Sequence, residues 1–269
     1  MVDYKDNKPP IDDITAKSYS LFDWQCYFKS IYYKKNTLIK NDGFHGNQIA
    51  FLRGYLVSHI SQDLGDLAEA IREDSPSILE SKIGSMFAWI FAFANELDEN
   101  IEDIIRSKFP GYCPYCCRTI NCDCAWWTPK QTQQDKEKDC DGPIAGEEPH
   151  SVPDTLSDWI KQLEIIYGRK YKIAMTISDI MYKLLEEKAE ILGEMDKSKT
   201  KTLDKSDIYY QKLKEEIADY VTWFFALLFK LESRTFYRDD LPDYLQKKFG
   251  EHCPWCNKLE CECKRPTWI

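Results

Sequence analysis

The sequence has little of several features that would mark other classes of protein. Among 269 residues there are only 11 glycines and 12 prolines, which favours helices over many short strands joined by turns. The longest apolar runs, around Ile83–Ala94 and Tyr220–Phe229, fall short of the roughly 20 residues that cross a bilayer, so no membrane association is expected. The N-terminus lacks the apolar segment of a secretory signal, and we expect a cytoplasmic protein.

An excess of basic residues is also missing. The chain has 36 Lys and Arg against 45 Asp and Glu, a net charge of −9, whereas proteins that bind duplex nucleic acid usually carry a basic surface. We therefore expect no duplex nucleic acid partner. Hydrophobic residues make up 43% of the chain and aromatic residues 14%, which indicates a folded protein with a buried core, because disordered chains are poor in both.

Cysteine, in contrast, is abundant. Because the chain shows no export signal, a disulfide framework is not expected. Eight of the 11 cysteines form two clusters with the same C-P-x-C and C-x-C design: Cys113, Cys116, Cys122 and Cys124, then Cys253, Cys256, Cys261 and Cys263. Four thiolates suit tetrahedral zinc and leave no open position for catalysis, so we predict two structural zinc ions per chain. Redox or incidental clusters and iron–sulfur ligation are the alternatives, and Cys26, Cys117 and Cys140 are expected to be ordinary thiols.

The chain also contains an internal repeat. Asp23-Trp24 and Asp158-Trp159 begin corresponding segments, and Lys108-Phe109 and Lys248-Phe249 stand at the same distance before the two cysteine clusters. We expect two helical domains joined by a polar linker, at residues 1–124, 125–153 and 154–269. Residues 1–124 are called the first half below, and residues 154–269 the second half.

The periodicity of both halves is helical. Apolar residues recur at a spacing of three or four, and no segment alternates convincingly with a period of two. Lys82–Leu97 and Gln211–Leu231 are apolar over more of their circumference, as expected of helices at the centre of a bundle. We therefore predict an all-α fold with three or four helices in each half. A single half would expose its apolar helix, so the halves are expected to pack as a pseudo-dimer, which could itself dimerise.

Several acidic residues of the second half lie at positions where their charges would be unfavourable in a folded bundle. Glu186, Glu187 and Glu190 share one face of a predicted helix, and Glu216 and Asp219 are three residues apart on the next. If the two helices turn back on each other, these carboxylates meet and need a cation to neutralise them. Mg²⁺ with oxygen ligands is the natural occupant. A solvated acidic helix face is the alternative, since the chain has 45 acids.

The acid spacing resembles a known family signature. Glu186–Glu190, followed after 25 residues by Glu216–Asp219, is similar to the EExxE…ExxD pattern of MazG-like nucleoside triphosphate pyrophosphohydrolases. The resemblance spans Trp159–Phe249 and, in weaker form, Trp24–Phe109. It implies an all-α fold that is usually dimeric, and Mg²⁺-dependent hydrolysis of nucleoside triphosphates to monophosphate and pyrophosphate. The cysteine clusters are not part of the general family pattern.

The resemblance also implies roles for individual residues. Mg²⁺ would be held by four of five candidate acids in the second half: either Glu186 or Glu187, together with Glu190, Glu216 and Asp219. Whichever of Glu186 and Glu187 stayed free of the metal would accept the proton of the attacking water as general base. Lys183 matches a position where the family often has a phosphate-contacting lysine. Lys247 and Lys248 are further candidates for contact with phosphate, with a solvated helix C-terminus as the alternative.

The first half departs from this pattern at the residues that matter. Lys82 stands in place of Glu216 and Ser85 in place of Asp219, while His59 stands in place of Lys183. The remaining counterparts of the acids are Gln62, Asp63 and Asp66. The ammonium group of Lys82 would lie beside the metal, and Ser85 removes a charged ligand. We therefore predict that the first half does not turn over substrate. It would instead supply the partner surface that a second subunit provides in dimeric relatives.

A second hypothesis belongs to another functional class. Aromatic and basic residues beside the cysteine clusters could form a stacking platform on a non-catalytic scaffold that binds a protein partner or single-stranded nucleic acid. These residues are Trp126, Trp127, Trp255, Trp268, Lys264 and Arg265. The acidic net charge weakens this hypothesis, and so does the complete acid set of the second half, which has no use in a pure scaffold.

Overall fold

The computed structural model describes residues 16–43, 46–122, 124, 140, 142–198, 201–232, 240–250 and 252–263. Within these ranges all regular structure is helical and no strand is present, which confirms the all-α prediction. Most of the linker and the aromatic and basic residues Trp126, Trp127, Trp268, Lys264 and Arg265 lie outside the described residues.

The order of helices repeats along the chain. In the first half a 3₁₀ turn at Ala16–Ser18 is followed by α1 (Leu21–Gly43), α2 (Gln48–Phe51), a π-helical segment (Leu52–Val57), α3 (Ser58–Arg72), α4 (Pro76–Leu97) and α5 (Ile101–Lys108). In the second half the elements are α6 (Leu156–Arg169), a π-helical segment (Lys170–Ala174), α7 (Ile177–Lys197), α8 (Ile208–Leu231) and α9 (Leu241–Phe249). Each series leads into a four-cysteine cluster.

Local sequence fixes where several helices begin. Thr176 caps α7 through a reciprocal capping box with Asp179, which satisfies two backbone N–H groups that lack helical partners. Asn100 caps α5 in a simpler way, its side chain accepting from the backbone N–H of Glu102 at 2.9 Å. The start of α7 is therefore set by sequence.

The two apolar helices meet at the centre of the molecule. Phe87 of α4 packs against Phe224 and Phe225 of α8, with ring centroids 5.0 Å and 6.1 Å apart. All three rings are buried, and they belong to one core cluster that contains side chains of both halves. The described residues of the two halves are thus joined by a common hydrophobic core.

The last helix of each half lies against the other half. Helix α5 packs on α8, and α9 packs on the 3₁₀ turn Ala16–Ser18 and on α4. The carbonyl oxygen of Phe249, at the end of α9, accepts a hydrogen bond from the buried hydroxyl of Tyr27 in α1 at 3.1 Å. Each half therefore depends on a segment of the other to complete its packing.

One helix within the described residues, α4, is long and apolar enough to cross a membrane by length and composition. The apolar runs of the sequence did not lead us to expect this. In its most apolar window, 67% of the residues are buried inside the fold. A single helix of this kind is weak support for a membrane span, because the core helix of a globular protein has the same properties.

Replacing Phe87 by alanine tests the shared core. We expect the free energy of unfolding to fall by about 3–5 kcal/mol, because a buried aromatic side chain is lost and a cavity remains. Denaturant unfolding followed by helical circular dichroism measures the change. The control is Tyr182→Ala, since Tyr182 is 70% exposed and its loss should cost under about 0.5 kcal/mol. An equal, small loss in both variants would contradict a core built from α4 and α8.

Candidate metal sites

Three carboxylates of the second half meet between α7 and α8. Oxygen atoms of Glu187, Glu216 and Asp219 all lie within 4.8 Å of one another. Glu187 comes from α7, and the other two come from successive turns of α8, which packs closely along α7. Glu187 is only 6% exposed. This group is called the acid trio below.

Burial and mutual repulsion disfavour the charged form of the trio's carboxylates. Burial and the nearby carboxylates of Asp219 and Glu216 raise the pKa of Glu187 to about 8. Burial raises the pKa of Asp219 to about 6, although the ammonium group of Lys108 beside it acts in the opposite direction. Both shifts are in the direction expected of a site where a bound proton or cation is favourable. Mg²⁺ suits the oxygen donors, because it takes few protein carboxylates and completes its shell with water and phosphate oxygens.

The structure brings together three of the five predicted acids. Glu186 lies one residue before the trio member Glu187, and its carboxylate is 2.5 Å from the ammonium group of Lys183. Both groups act on the pKa of Glu187, Lys183 lowering it and Glu186 raising it. Glu190, one turn further along α7, is not among the three carboxylates that meet. Glu186 and Lys183 therefore border the trio without belonging to it.

Sequence reasoning missed one residue at this site. The ammonium group of Lys108, at the end of α5 in the first half, is 3.0 Å from the carboxylate of Asp219. Both side chains are 18% exposed. The signal was present in the repeat, where Lys108-Phe109 and Lys248-Phe249 correspond, but nothing in the spacing showed that α5 would cross to the second half.

The structure places Lys248 at the first half rather than with the acid trio. Its ammonium group is 3.1 Å from the hydroxyl of Ser81 and 3.5 Å from that of Ser85, and it also donates to the carbonyl oxygen of Ser81. The charged groups that act on it are Asp63 and Lys82, both of the first half. Lys247 is exposed on the last turn of α9.

The first half holds a lysine where the second half holds acids. The ammonium group of Lys82 lies 3.1 Å from the carboxylate of Asp63 and 2.5 Å from that of Asp66. His59, the counterpart of Lys183, stacks on Trp89 with ring centroids 4.3 Å apart. Burial and then the charge of Lys35 lower the pKa of His59 to about 4, so the ring is neutral near pH 7. The carboxylates of Asp63 and Asp66 are thus already paired with an ammonium group.

The cysteine clusters have the dimensions of tetrahedral metal sites. In the first cluster three sulfur–sulfur distances are 3.5, 3.7 and 3.8 Å, and in the second cluster two are 3.5 and 3.7 Å. With Zn–S bonds of about 2.3 Å, the edge of a tetrahedron is roughly 3.8 Å. The four sulfur atoms of each cluster all lie within 4.8 Å of one another. Each cluster can therefore bind a zinc ion.

The two clusters also share one backbone geometry. The amide N–H of Cys113 donates to the carbonyl of Arg118, and that of Cys253 to the carbonyl of Lys258, both at 2.8 Å. The residue after the second cysteine is left-handed in each, with φ of 61° in one cluster and 53° in the other. This turn directs the C-P-x-C thiols to one side, which explains why two separate sequences form the same site.

Each cluster docks on the half to which it does not belong in sequence. The amide N–H of Cys122 donates to the carbonyl oxygen of Ile166 in α6 at 2.7 Å. At the corresponding place, the amide N–H of Cys261 donates to Ile31 in α1 at 2.8 Å. Metal binding at either cluster should therefore stabilise the contact between the halves.

A disulfide was not expected, and one is present. Cys117 and Cys140 are bonded, with Cα atoms 5.8 Å apart. The prediction of ordinary thiols at these two positions is wrong, because the chain after Cys140 returns to the first cluster. There the amide N–H of Ile144 donates to the carbonyl oxygen of Cys117 at 3.0 Å. Cys26 in α1 is a half-buried free thiol, as predicted.

Comparison with known proteins finds no relative for this chain. No protein-family model matches the sequence, and no curated protein or solved structure matches it. The resemblance to MazG-like enzymes therefore stays a prediction from the sequence motifs.

Proposed function

We propose that the protein is a MazG-like nucleoside triphosphate pyrophosphohydrolase whose second half carries an Mg²⁺ site. The observation that carries the proposal is the acid trio, in which a buried carboxylate of α7 faces two carboxylates of α8. Burying several like charges costs free energy, and a divalent cation offsets that cost. The trio uses Glu187 of the predicted run 186–190 and both acids of the second motif.

The reaction proposed is attack of water on the α-phosphorus of the triphosphate. A bond forms from the water oxygen to phosphorus, the bond to the bridging oxygen breaks, and pyrophosphate leaves. Bound Mg²⁺ would neutralise charge on the triphosphate and on the leaving group. Glu186, beside the trio, is the proposed acceptor of the water proton, and Lys183 the proposed phosphate contact. The two side chains form a 2.5 Å ion pair on the helix that carries Glu187.

The first half is proposed to be a non-catalytic partner within a pseudo-dimer. Its carboxylates Asp63 and Asp66 already hold the ammonium group of Lys82, which stands where a metal-bound half has an acid. It covers α8 with α5 and shares the Phe87 contact with the second half. We further propose that each cysteine cluster holds one structural zinc ion, which fixes the two docking contacts.

A second candidate is the non-catalytic scaffold that binds a protein or single-stranded nucleic acid. Trp255, beside the second cluster, is 60% exposed, as a stacking or docking residue would be. The scaffold gives no reason for three carboxylates to converge at a half-buried place. The hydrolase is therefore the function that the geometry supports better.

Pyrophosphate release from a panel of ribo- and deoxyribonucleoside triphosphates tests the proposal. With Mg²⁺ we expect release of pyrophosphate and the matching monophosphate, and no release in EDTA. Glu216→Gln should lower turnover by at least about a hundredfold, because one charged ligand is lost. The matched control is Glu215→Gln, the exposed neighbour outside the trio, which should stay within about threefold. A protein inert towards every triphosphate would leave the scaffold as the better proposal.

A further inference from the structure

An ion pair between the halves joins Lys108 to the acid trio. Lys108 ends α5 of the first half, and its ammonium group is 3.0 Å from the carboxylate of Asp219 in the second half. With both side chains 18% exposed, the pair is largely withdrawn from solvent. The same carboxylate belongs to the trio that faces Glu187 and Glu216. A lysine of the first half thus pairs with a carboxylate that would bind a metal ion in the second half.

The position of Lys108 is fixed by its surroundings. Helix α5 packs on α8, and the ring of Phe109, the next residue, lies edge-on to Tyr167 of α6 with centroids 6.0 Å apart. A few residues later the first cysteine cluster is hydrogen-bonded to α6, from Asn121 to Ile165 at 3.1 Å. The lysine backbone is therefore anchored on both sides, while its four-carbon stem leaves the ammonium group able to swing.

The repeat shows that both halves place a lysine at this position. The acidic partner is present in one half and absent from the equivalent position in the other. Lys248, the equivalent residue of the second half, crosses to α4 of the first half and reaches the hydroxyl of Ser85 at 3.5 Å. Ser85 is the counterpart of Asp219. Both halves thus deliver a lysine to the other half's site. Lys108 forms an ion pair with Asp219 there, whereas Lys248 donates to serine hydroxyls and feels the charge of Asp63.

Two cations cannot share the carboxylate of Asp219 without repelling each other. An ammonium group and Mg²⁺ beside the same carboxylate repel each other, and a third, strongly negative group that binds both of them offsets this repulsion. The oxygens of a triphosphate are such a group, and lysine is a common partner of phosphate.

We propose that Lys108 is the counterion of the acid trio in the free protein and becomes a ligand of the triphosphate when Mg²⁺ and nucleotide bind together. In the free protein it competes with Mg²⁺ for Asp219. With nucleotide present it turns to the phosphates, so metal and triphosphate each strengthen the binding of the other. This inference rests on the proposed function for its nucleotide part, and on the ion pair alone for its metal part.

The full-length Lys108→Met variant tests both parts by calorimetry. Mg²⁺ alone should bind about tenfold more tightly than to the unsubstituted protein, because a like charge has been removed from beside Asp219. A non-hydrolysable imido triphosphate analogue with Mg²⁺ should bind at least about tenfold more weakly, since a charge-assisted hydrogen bond to phosphate is lost. The matched control is Arg106→Met, an exposed cation on the same helix, for which both affinities should stay within about twofold.

The two opposite changes separate this role from a structural one. If Mg²⁺ and the analogue both bind more weakly, Lys108 merely holds the site together and the proposal is overturned. Unchanged Mg²⁺ affinity would overturn it as well. If the unsubstituted protein binds no analogue while Lys108→Met still tightens Mg²⁺ binding, the proposed function fails but the competition for Asp219 stands. Helicity and zinc content of the variant show whether it is folded.

Discussion

Replacing Asp219 by alanine is expected to reduce pyrophosphate release by about a thousandfold or more. The change removes one carboxylate of the acid trio and the partner of Lys108. The remaining two acids should hold Mg²⁺ poorly at the triphosphate. Since nearly all the rate of phosphoryl transfer comes from positioning and charge neutralisation, the loss should be several orders of magnitude. Steady-state turnover of the best triphosphate from the panel measures it.

The chain provides its own control for this experiment. Asp66→Ala removes a carboxylate from the matching place in the first half, where it is 2.5 Å from Lys82. We expect turnover to stay within about threefold, because the proposed catalytic site lies in the other half and a surface ion pair contributes little to stability. If Asp66→Ala abolished turnover while Asp219→Ala spared it, the assignment of the halves would be reversed.

Loss of zinc from the first cysteine cluster should have the second largest effect. Protein purified under reducing conditions is expected to contain close to two zinc atoms per chain, and Cys116→Ser should lower this to about one. Because zinc binding contributes directly to folding, the variant should lose more than about 4 kcal/mol of stability. In a chain of this size that corresponds to a fall in Tm of roughly 10 °C. Elemental analysis and thermal unfolding provide the two measurements.

The place where this cluster docks predicts a loss of activity as well. The cluster follows α5 directly and is hydrogen-bonded to Ile166, so its release would free Lys108 from the acid trio. Cys26→Ser is the matched control, because Cys26 is a half-buried free thiol outside both clusters. It should keep two zinc atoms and normal turnover. Iron in place of zinc, or no metal in the reduced protein, would refute the zinc assignment.

Much of the fold could be predicted from sequence because the relevant information is local. Helical periodicity, the capping residues of α7 and the scarcity of glycine and proline all act over a few residues. The convergence of Glu187 with Glu216 and Asp219 was accessible for a similar reason, since consecutive helices joined by a short connector pack side by side. The sequence could not predict that Glu187, rather than Glu186 or Glu190, would join the trio, because this depends on the rotation of α7 about its axis.

The sequence by itself determined the all-helical fold, the repeated order of helices, and two cysteine clusters that can bind zinc, because spacing within each segment specifies these features. Only the tertiary structure decided which half each terminal segment serves. Lys108 reaches Asp219 and Lys248 reaches Ser85 because α5 and α9 each pack on the opposite half. The Cys117–Cys140 disulfide was likewise decided by a tertiary contact, the return of the chain after Cys140 to the first cluster. Contacts between residues far apart in sequence depend on how whole helices pack, and no local pattern records that packing.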